Sequence, residues 1–275
     1  MPKRVSTVLG REFGESLRAV IQRTGLLEAQ LARQVGWEHA KLSDLVNGKG
    51  GTSLEEFTFL LGLCGAAPKE YAHLRKLFLQ SKERGWLQWQ DGVRGQVRTL
   101  MQHEQLATGI TIWSPMFVPG LLQIRAYVLA VIAAYPDIAQ TDVSQIAAAR
   151  EDRRNIVGRG CSFVFYVHEQ ALRLPVGGHE VWKEQLHDIL RMSVRPYITI
   201  RIVPVAAGAH PGGDGAFTMM AFEKLEPIVY VESLNSNLFL DDKVSLNLYG
   251  KIIKAFDRIA LGEEESRELI TSMLT

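Results

Sequence analysis

GWEHAKLSDLVNGKG (residues 36–50) is the stretch on which the fold of the front of the chain turns. Gly36 permits a sharp turn, because it has no Cβ to clash in a left-handed conformation. From Glu38 to Val46 the residues Leu42 and Leu45 return at helical spacing and mark one inward face. Asn47-Gly48 then ends the helix, since both residues tolerate the left-handed region. Glu38, His39, Ala40, Lys41, Ser43 and Asp44 are left on the outward face.

Working outward, Leu27 to Val35 forms a second short helix with Leu31, Ala32 and Val35 on one side. Upstream, Phe13, Leu17, Val20 and Ile21 recur at helical spacing until Gly25. Downstream, TSLEEFTFLLGLC reads as a fourth helix with Ser53 as its N-cap, and Glu56 three residues later completes a capping box. Pro68 fits the first turn of a fifth helix that runs to about residue 84. Five short helices joined by short connections predict an all-α domain over residues 1–85.

A chain of 275 residues is too long for that domain alone, and its 47% apolar and 22% charged residues are those of a globular protein. No apolar run approaches the ~20 residues needed to span a bilayer. No secretory signal is recognisable, so a cytoplasmic location is expected. Cys64 and Cys161 have no zinc-type spacing; two buried thiols are expected, with a disulfide or a nucleophile as the alternatives. The net charge of +1 hides an asymmetry: residues 1–85 carry 13 Lys/Arg against 9 Asp/Glu, and the remainder 18 against 21. A mildly basic front and a mildly acidic back suit a nucleic-acid-binding head on a body with another task.

Beyond residue 85 the pattern changes. GWLQWQDG reads as a hinge, followed by a helix at 93–106, an extended ITIWSPMFVPG, and helices at 121–134 and 141–157. From Cys161 the period switches to two in CSFVFYVH (161–168), YITIRIVPV (197–205), AFTMMAFE (216–223) and PIVYVES (227–233). Helices are expected at 179–193, 242–260 and 263–274. Residues 86–275 are therefore predicted as an α+β domain whose strands cluster rather than alternate strictly with helices.

The paired helices at 27–47 have the geometry of a helix-turn-helix, whose second helix enters the major groove of double-stranded DNA. On that geometry Glu38, His39, Ala40, Lys41 and Ser43 become candidates for contacts in the groove. Arg11, Gln30, Asn47 and Lys49 become candidates for phosphate contacts. One such helix buries too little surface for tight specific binding, so a homodimer on a two-fold site is expected.

LARQVGWEHAKLSDLVNGK resembles the Xre/Cro-C1-type helix-turn-helix at the front of a large actinobacterial regulator family. Leu31, Ala32, Gly36, Trp37, Lys41, Ser43 and Gly48 carry the likeness. FVPGLLQIRAY (117–127), HEQALRLPVGGHEVWKEQL (168–186) and GAHPGGDGAFTMMAF (208–222) resemble signatures of that family's C-terminal domain, DUF5753. The resemblance implies an Scr1-type, antitoxin-like transcriptional regulator with a small DUF397-like protein as partner. The chain departs from the pattern at Leu27 and Glu28, where polar phosphate-facing residues are usual, and at Asp44 and Val46. Asp44 is expected to face solvent or to pair with a nearby cation, and to weaken attraction to the DNA backbone.

In the C-terminal part, Pro119-Gly120 makes a rigid bend ahead of an apolar helix. That helix is either simple core or, with Trp113, Met116, Phe117 and Tyr127, the lining of a pocket for a partner or a small-molecule effector. In AAGAHPGGDG, His210 and Asp214 are most simply a structural hydrogen-bonded pair in a hairpin loop. A loop that touches a ligand or partner is the alternative, and an enzyme centred on these two residues is a weaker one. The arginine-rich run REDRRNIVGRG (150–160) reads as a solvated helix end or, alternatively, an anion contact. No nucleophile motif, phosphate loop, dinucleotide fingerprint or metal spacing is present, so neither a catalytic residue nor a metal or cofactor is expected. The expected function is therefore a dimeric DNA-binding regulator controlled through its C-terminal domain. An antitoxin-like interaction module with weak DNA affinity is the alternative.

Overall fold

The computed structural model of the chain describes residues 6–81, 85–89, 93–135, 140–158, 160–233 and 236–275. The chain divides into two compact units. The first comprises Met1–Leu87, Lys224–Ile228 and Phe239–Asp242, and the second Gln88–Glu223, Val229–Leu238 and Lys243–Thr275.

The first unit contains five helices: α1 (Val8–Gln22), α2 (Glu28–Gln34), α3 (His39–Val46), α4 (Leu54–Leu63) and α5 (Pro68–Gln80). Their ends follow from local chemistry. The Thr7 hydroxyl accepts from the Gly10 amide at 2.9 Å to cap α1. Ser53 and Glu56 close the capping box of α4, each accepting from the other's backbone amide. Pro68 occupies the first turn of α5. The inward residues meet in one core in which Leu17, Leu31, Leu42, Leu45, Phe57 and Leu60 are fully buried. Phe57 stacks on Phe78 at 4.5 Å, and Phe13 meets both rings edge-on. Each such side chain contributes about 1.5–3 kcal/mol of burial.

This unit is not contiguous in sequence. The Asp241 carboxylate accepts from the backbone amides of Val8 and Gly85, at 2.8 and 3.1 Å. GWLQWQDG, read from sequence as a hinge, carries a short strand β1 (Trp86–Trp89), and the Trp86 ring stacks on Phe239.

The second unit contains α6 (Val93–Leu106), α7 (Arg125–Ala133), α8 (Gln140–Arg154), α9 (Glu169–Arg173), α10 (His179–Ser193), α11 (Lys243–Ile259) and α12 (Glu263–Leu274). Its strands are β2 (Gly109–Ser114), β3 (Ser162–His168), β4 (Ile198–Val203), β5 (Phe217–Ala221) and the greater part of β6 (Ile228–Glu232) and β7 (Ser236–Leu240), in the order β7-β6-β5-β2-β3-β4. The sheet is mixed. β2, β3 and β4 run parallel, with Ile112 opposite Phe165 and Phe165 opposite Ile200, whereas β5 is antiparallel to β2.

Helices α7 and α8 connect β2 to β3, and α9 and α10 connect β3 to β4. These three strands alternate with helices, whereas among the described residues β4 to β7 follow one another with no α-helix between them, so the strands do not alternate strictly with helices. Their near-continuous apolar runs, such as Phe163, Phe165, Tyr166 and Val167, all buried, suit parallel strands covered on both faces. The expected helix at 121–134 is also divided. A 3-10 turn (Gly120–Leu122) precedes α7, and the buried Gln185 side chain explains the break. Its amide donates to the Leu122 carbonyl at 2.9 Å and accepts from the Ile124 N–H at 2.8 Å, satisfying groups that a continuous helix would have paired. Cys64 and Cys161 are free and buried, and burial pushes both thiols up, Cys161 to about 11. Among the described residues no helix is long and apolar enough to cross a membrane.

Candidate functional sites

In the first unit, α2 and α3 are joined by a turn at Gly36, whose φ is +68°, and the Trp37 N–H donates to the Ala32 carbonyl at 2.8 Å. Leu42, Leu45 and Val46 hold α3 against the core. The far end of α3 is fixed by backbone-on-backbone contact with α1. A Cβ on Gly14 would lie 2.2 Å from the Val46 carbonyl oxygen, and one on Gly10 2.4 Å from that of Gly48. Only hydrogen fits there. Arg18 of α1 adds hydrogen bonds to the Val46 carbonyl at 3.3 Å and the Asn47 side chain at 3.2 Å. The outward edge of α3 is thus presented at a fixed height above the core.

Glu38, His39 and Ala40 are exposed at the start of α3, and Lys41, Ser43, Asp44 and Asn47 are half-buried. Most of the polar candidates are already engaged. The Lys41 ammonium lies 2.5 Å from the Glu56 carboxylate and 4.7 Å from the centre of the Trp37 ring. Hydrogen bonding to Lys41 holds the Glu56 carboxyl below the ordinary range. Asp44 pairs with Lys49 at 3.6 Å, as its expected cation partner. The Asn47 amide donates to the Ser43 hydroxyl, and exposed Gln30 accepts from the Leu27 N–H at the start of α2.

Arg11 requires a correction. It is buried, and its guanidinium donates to the Glu226 carbonyl at 2.7 Å. Burial, opposed by Asp241 and Glu226, lowers its pKa to about 10. A guanidinium enclosed in this way cannot reach a phosphate outside the fold.

In the second unit the structure separates the residues expected to line a pocket. Trp113 and Tyr127 are fully buried, Pro119 is buried, and the Tyr127 hydroxyl accepts from the Val118 N–H. Gly120 faces Arg153, whose guanidinium lies 3.7 Å from where a Cβ would be. Met116 and Phe117 are exposed. Phe117 lines an apolar groove of about 440 Å³ together with Ala130, Val131, Ala134 and Tyr135 and the segment Leu174–Gly177. The sequence analysis identified Phe117 but not the Leu174–Gly177 wall.

The glycine-rich loop after β4 is pinned rather than loose. A Cβ on Gly212 would fall 2.5 Å from the Trp113 ring and 2.6 Å from Phe256, and the Trp113 indole donates to the Gly212 carbonyl at 2.9 Å. His210 does not pair with Asp214 as expected. Its Nδ1 accepts from the Gly212 N–H at 3.1 Å, and its ring lies 5.4 Å from His168 at the end of β3. Both rings meet Trp113 edge-on. Burial and the neighbouring His210 push the His168 pKa down. Among the described residues no three His, Cys, Asp or Glu side chains are grouped to hold a metal ion.

The second unit corresponds to a known sequence family. The family model described as Domain of unknown function (DUF5753) matches residues 97–272. The chain belongs to the DUF5753 family. No curated protein matches it.

Within the DUF5753 domain Arg153 and Arg154 of the arginine-rich run are ion-paired rather than solvated or open to an anion, and Arg159 lies outside the described residues. Arg153 makes two parallel bonds to Glu104, at 3.0 and 2.8 Å, and the Glu104 side chain is 1% exposed. Burial opposes the charge of Arg153, and Glu104 more than restores it, so its pKa is raised. Arg154 pairs with Asp188, and half-buried Arg150 feels the charge of Glu232. Arg153 and Arg154 tie α8 to α6 and α10.

Proposed function

We propose that the chain is a DNA-binding transcriptional regulator. The first unit is its helix-turn-helix head, and the DUF5753 domain is its sensor or partner-binding body. The observation that carries this reading is the α2–turn–α3 pair. α3 is seated by Leu42, Leu45 and Val46, which leaves His39 and Ala40 exposed and Lys41, Ser43, Asp44 and Asn47 half-buried on the rest of its surface. His39, Lys41 and Ser43 would meet base edges, with Gln30, Asn47 and Lys49 at phosphates. A homodimer would supply the second α3 for a two-fold site.

On this reading control comes from the DUF5753 domain, where a small DUF397-like protein or a small effector would bind. The groove between Phe117 and Leu174–Gly177 is its candidate surface. The test is binding of the full chain to the duplex upstream of its own gene. Binding should be salt-sensitive, and Lys41→Ala should weaken it without lowering thermal stability.

A second reading is favoured by one observation: Lys41 and Lys49 are both paired with acids of the same unit. An antitoxin-like interaction module with little DNA affinity would have such a head. Stable co-purification with the neighbouring small protein, without any salt-sensitive DNA binding, supports that alternative.

A further inference from the structure

Glu56 belongs to α4 and yet faces the base of α3. One carboxylate oxygen accepts from the Ser53 N–H at 3.0 Å, which fixes the carboxylate at the start of α4. The other lies 2.5 Å from the Lys41 ammonium. On its other side that ammonium meets the Trp37 ring at 4.7 Å, so it is held between an anion and an aromatic face. The side chains of Lys41 and Glu56 are 30% and 40% exposed, open enough for a phosphate to compete for the lysine. Exposed pairs of this kind are weak and screened by salt. Beyond the far end of the same helix Lys49 lies 3.6 Å from Asp44.

We propose that Glu56 is an electrostatic latch on α3: it withholds Lys41 from nucleic acid and sets the salt range over which the head binds duplex DNA. The latch rests on the DNA-binding reading of the head. Nucleic acid must take Lys41 from Glu56, so the wild-type protein gains less from that lysine than an unpaired cation would give. Glu56 is thus a positioning residue for the contact and need not touch DNA itself.

Glu56→Gln tests it, because glutamine still accepts from the Ser53 N–H and keeps the cap of α4. Glu55→Gln is the control. Glu55 is exposed on the same turn, carries the same charge, and pairs with the Ser53 side chain instead of Lys41. The full chain is titrated with a random-sequence duplex by fluorescence anisotropy from 50 to 200 mM salt.

The latch requires Glu56→Gln to bind more tightly at low salt and to steepen the slope of log affinity against log salt by up to ~0.9, the counterion release of one fully neutralised phosphate. Its advantage over wild type then shrinks by up to about 3.5-fold across that salt range. Glu55→Gln keeps the wild-type slope. In a Lys41→Ala background Glu56→Gln has no more effect than Glu55→Gln. This comparison removes any contribution from altered folding of α4. An unchanged slope in Glu56→Gln, or an equal rise in Glu55→Gln, overturns the latch while leaving the DNA-binding reading intact. No salt-dependent binding by any of these proteins overturns both.

Discussion

Alanine at Gly14 should weaken the head, although alanine is the better helix former. Gly14 lies in the middle of α1, where replacing an unconstrained glycine gains up to about 1 kcal/mol of helix propensity. Here the new Cβ would sit 2.2 Å from the Val46 carbonyl oxygen, against an ordinary contact of 3.4 Å or more. Both partners are backbone, so neither can swing aside as a side chain would. α1 and the end of α3 must separate, at an overpacking cost of about 1–3 kcal/mol. That separation also stretches the Arg18 bonds to Val46 and Asn47, adding about 0.5–1.5 kcal/mol. The net expectation is a loss of about 1–3 kcal/mol. Native-state amide exchange of α1 and α3 in the full chain reads it directly. Gly62→Ala in α4 is the matched control: nothing lies within 4 Å of its Cβ, and it should gain up to about 1 kcal/mol. Protection in Gly14→Ala equal to or better than wild type would refute the close approach of α1 to α3.

Two other perturbations bear on electrostatics. Arg153→Met strands the buried Glu104 carboxylate and should cost about 3–5 kcal/mol by chemical denaturation; replacing Glu104 with leucine as well should recover much of the loss. The Glu70 carboxyl, hydrogen-bonded by Arg23 and by the Ala67 N–H, should titrate at about 2 by NMR, and Arg23→Gln should raise that midpoint. Because the folded pKa lies below the unfolded one, this pair stabilises the fold above the ordinary glutamate range, and its contribution is lost as pH falls from about 4.5 towards 2.

What could be read from the sequence was what neighbouring residues decide among themselves. Gly36, Gly48 and the Ser53–Glu56 box bound their helices through local backbone chemistry, and the β-branched runs at 162–168 and 198–203 announced strands. What escaped depends on partners far along the chain. The break before α7 is made by Gln185, 61 residues beyond Ile124. Arg11 has the look of a surface cation until Glu226 and Asp241 are brought to it. Strand β7 (Ser236–Leu240) opens on the polar pair Ser236-Asn237, and its buried Asn237 breaks the apolar alternation that marked β5 and β6. At the candidate sites, sequence spacing identified the outward residues of α3. It could not show that Lys41 is held by Glu56, because that pairing depends on how α4 crosses α3. Likewise Phe117 was identified without the Leu174–Gly177 wall that turns it into the side of a groove.

The most direct test of a DNA-binding head is titration of the full chain against the duplex upstream of its own gene, at 50 and 200 mM salt, for wild type and Lys41→Ala. A helix-turn-helix head should bind with an affinity that falls steeply with salt, and Lys41→Ala should bind more weakly at an unchanged thermal midpoint. No binding at 50 mM salt, or binding indifferent to both salt and Lys41, would contradict it.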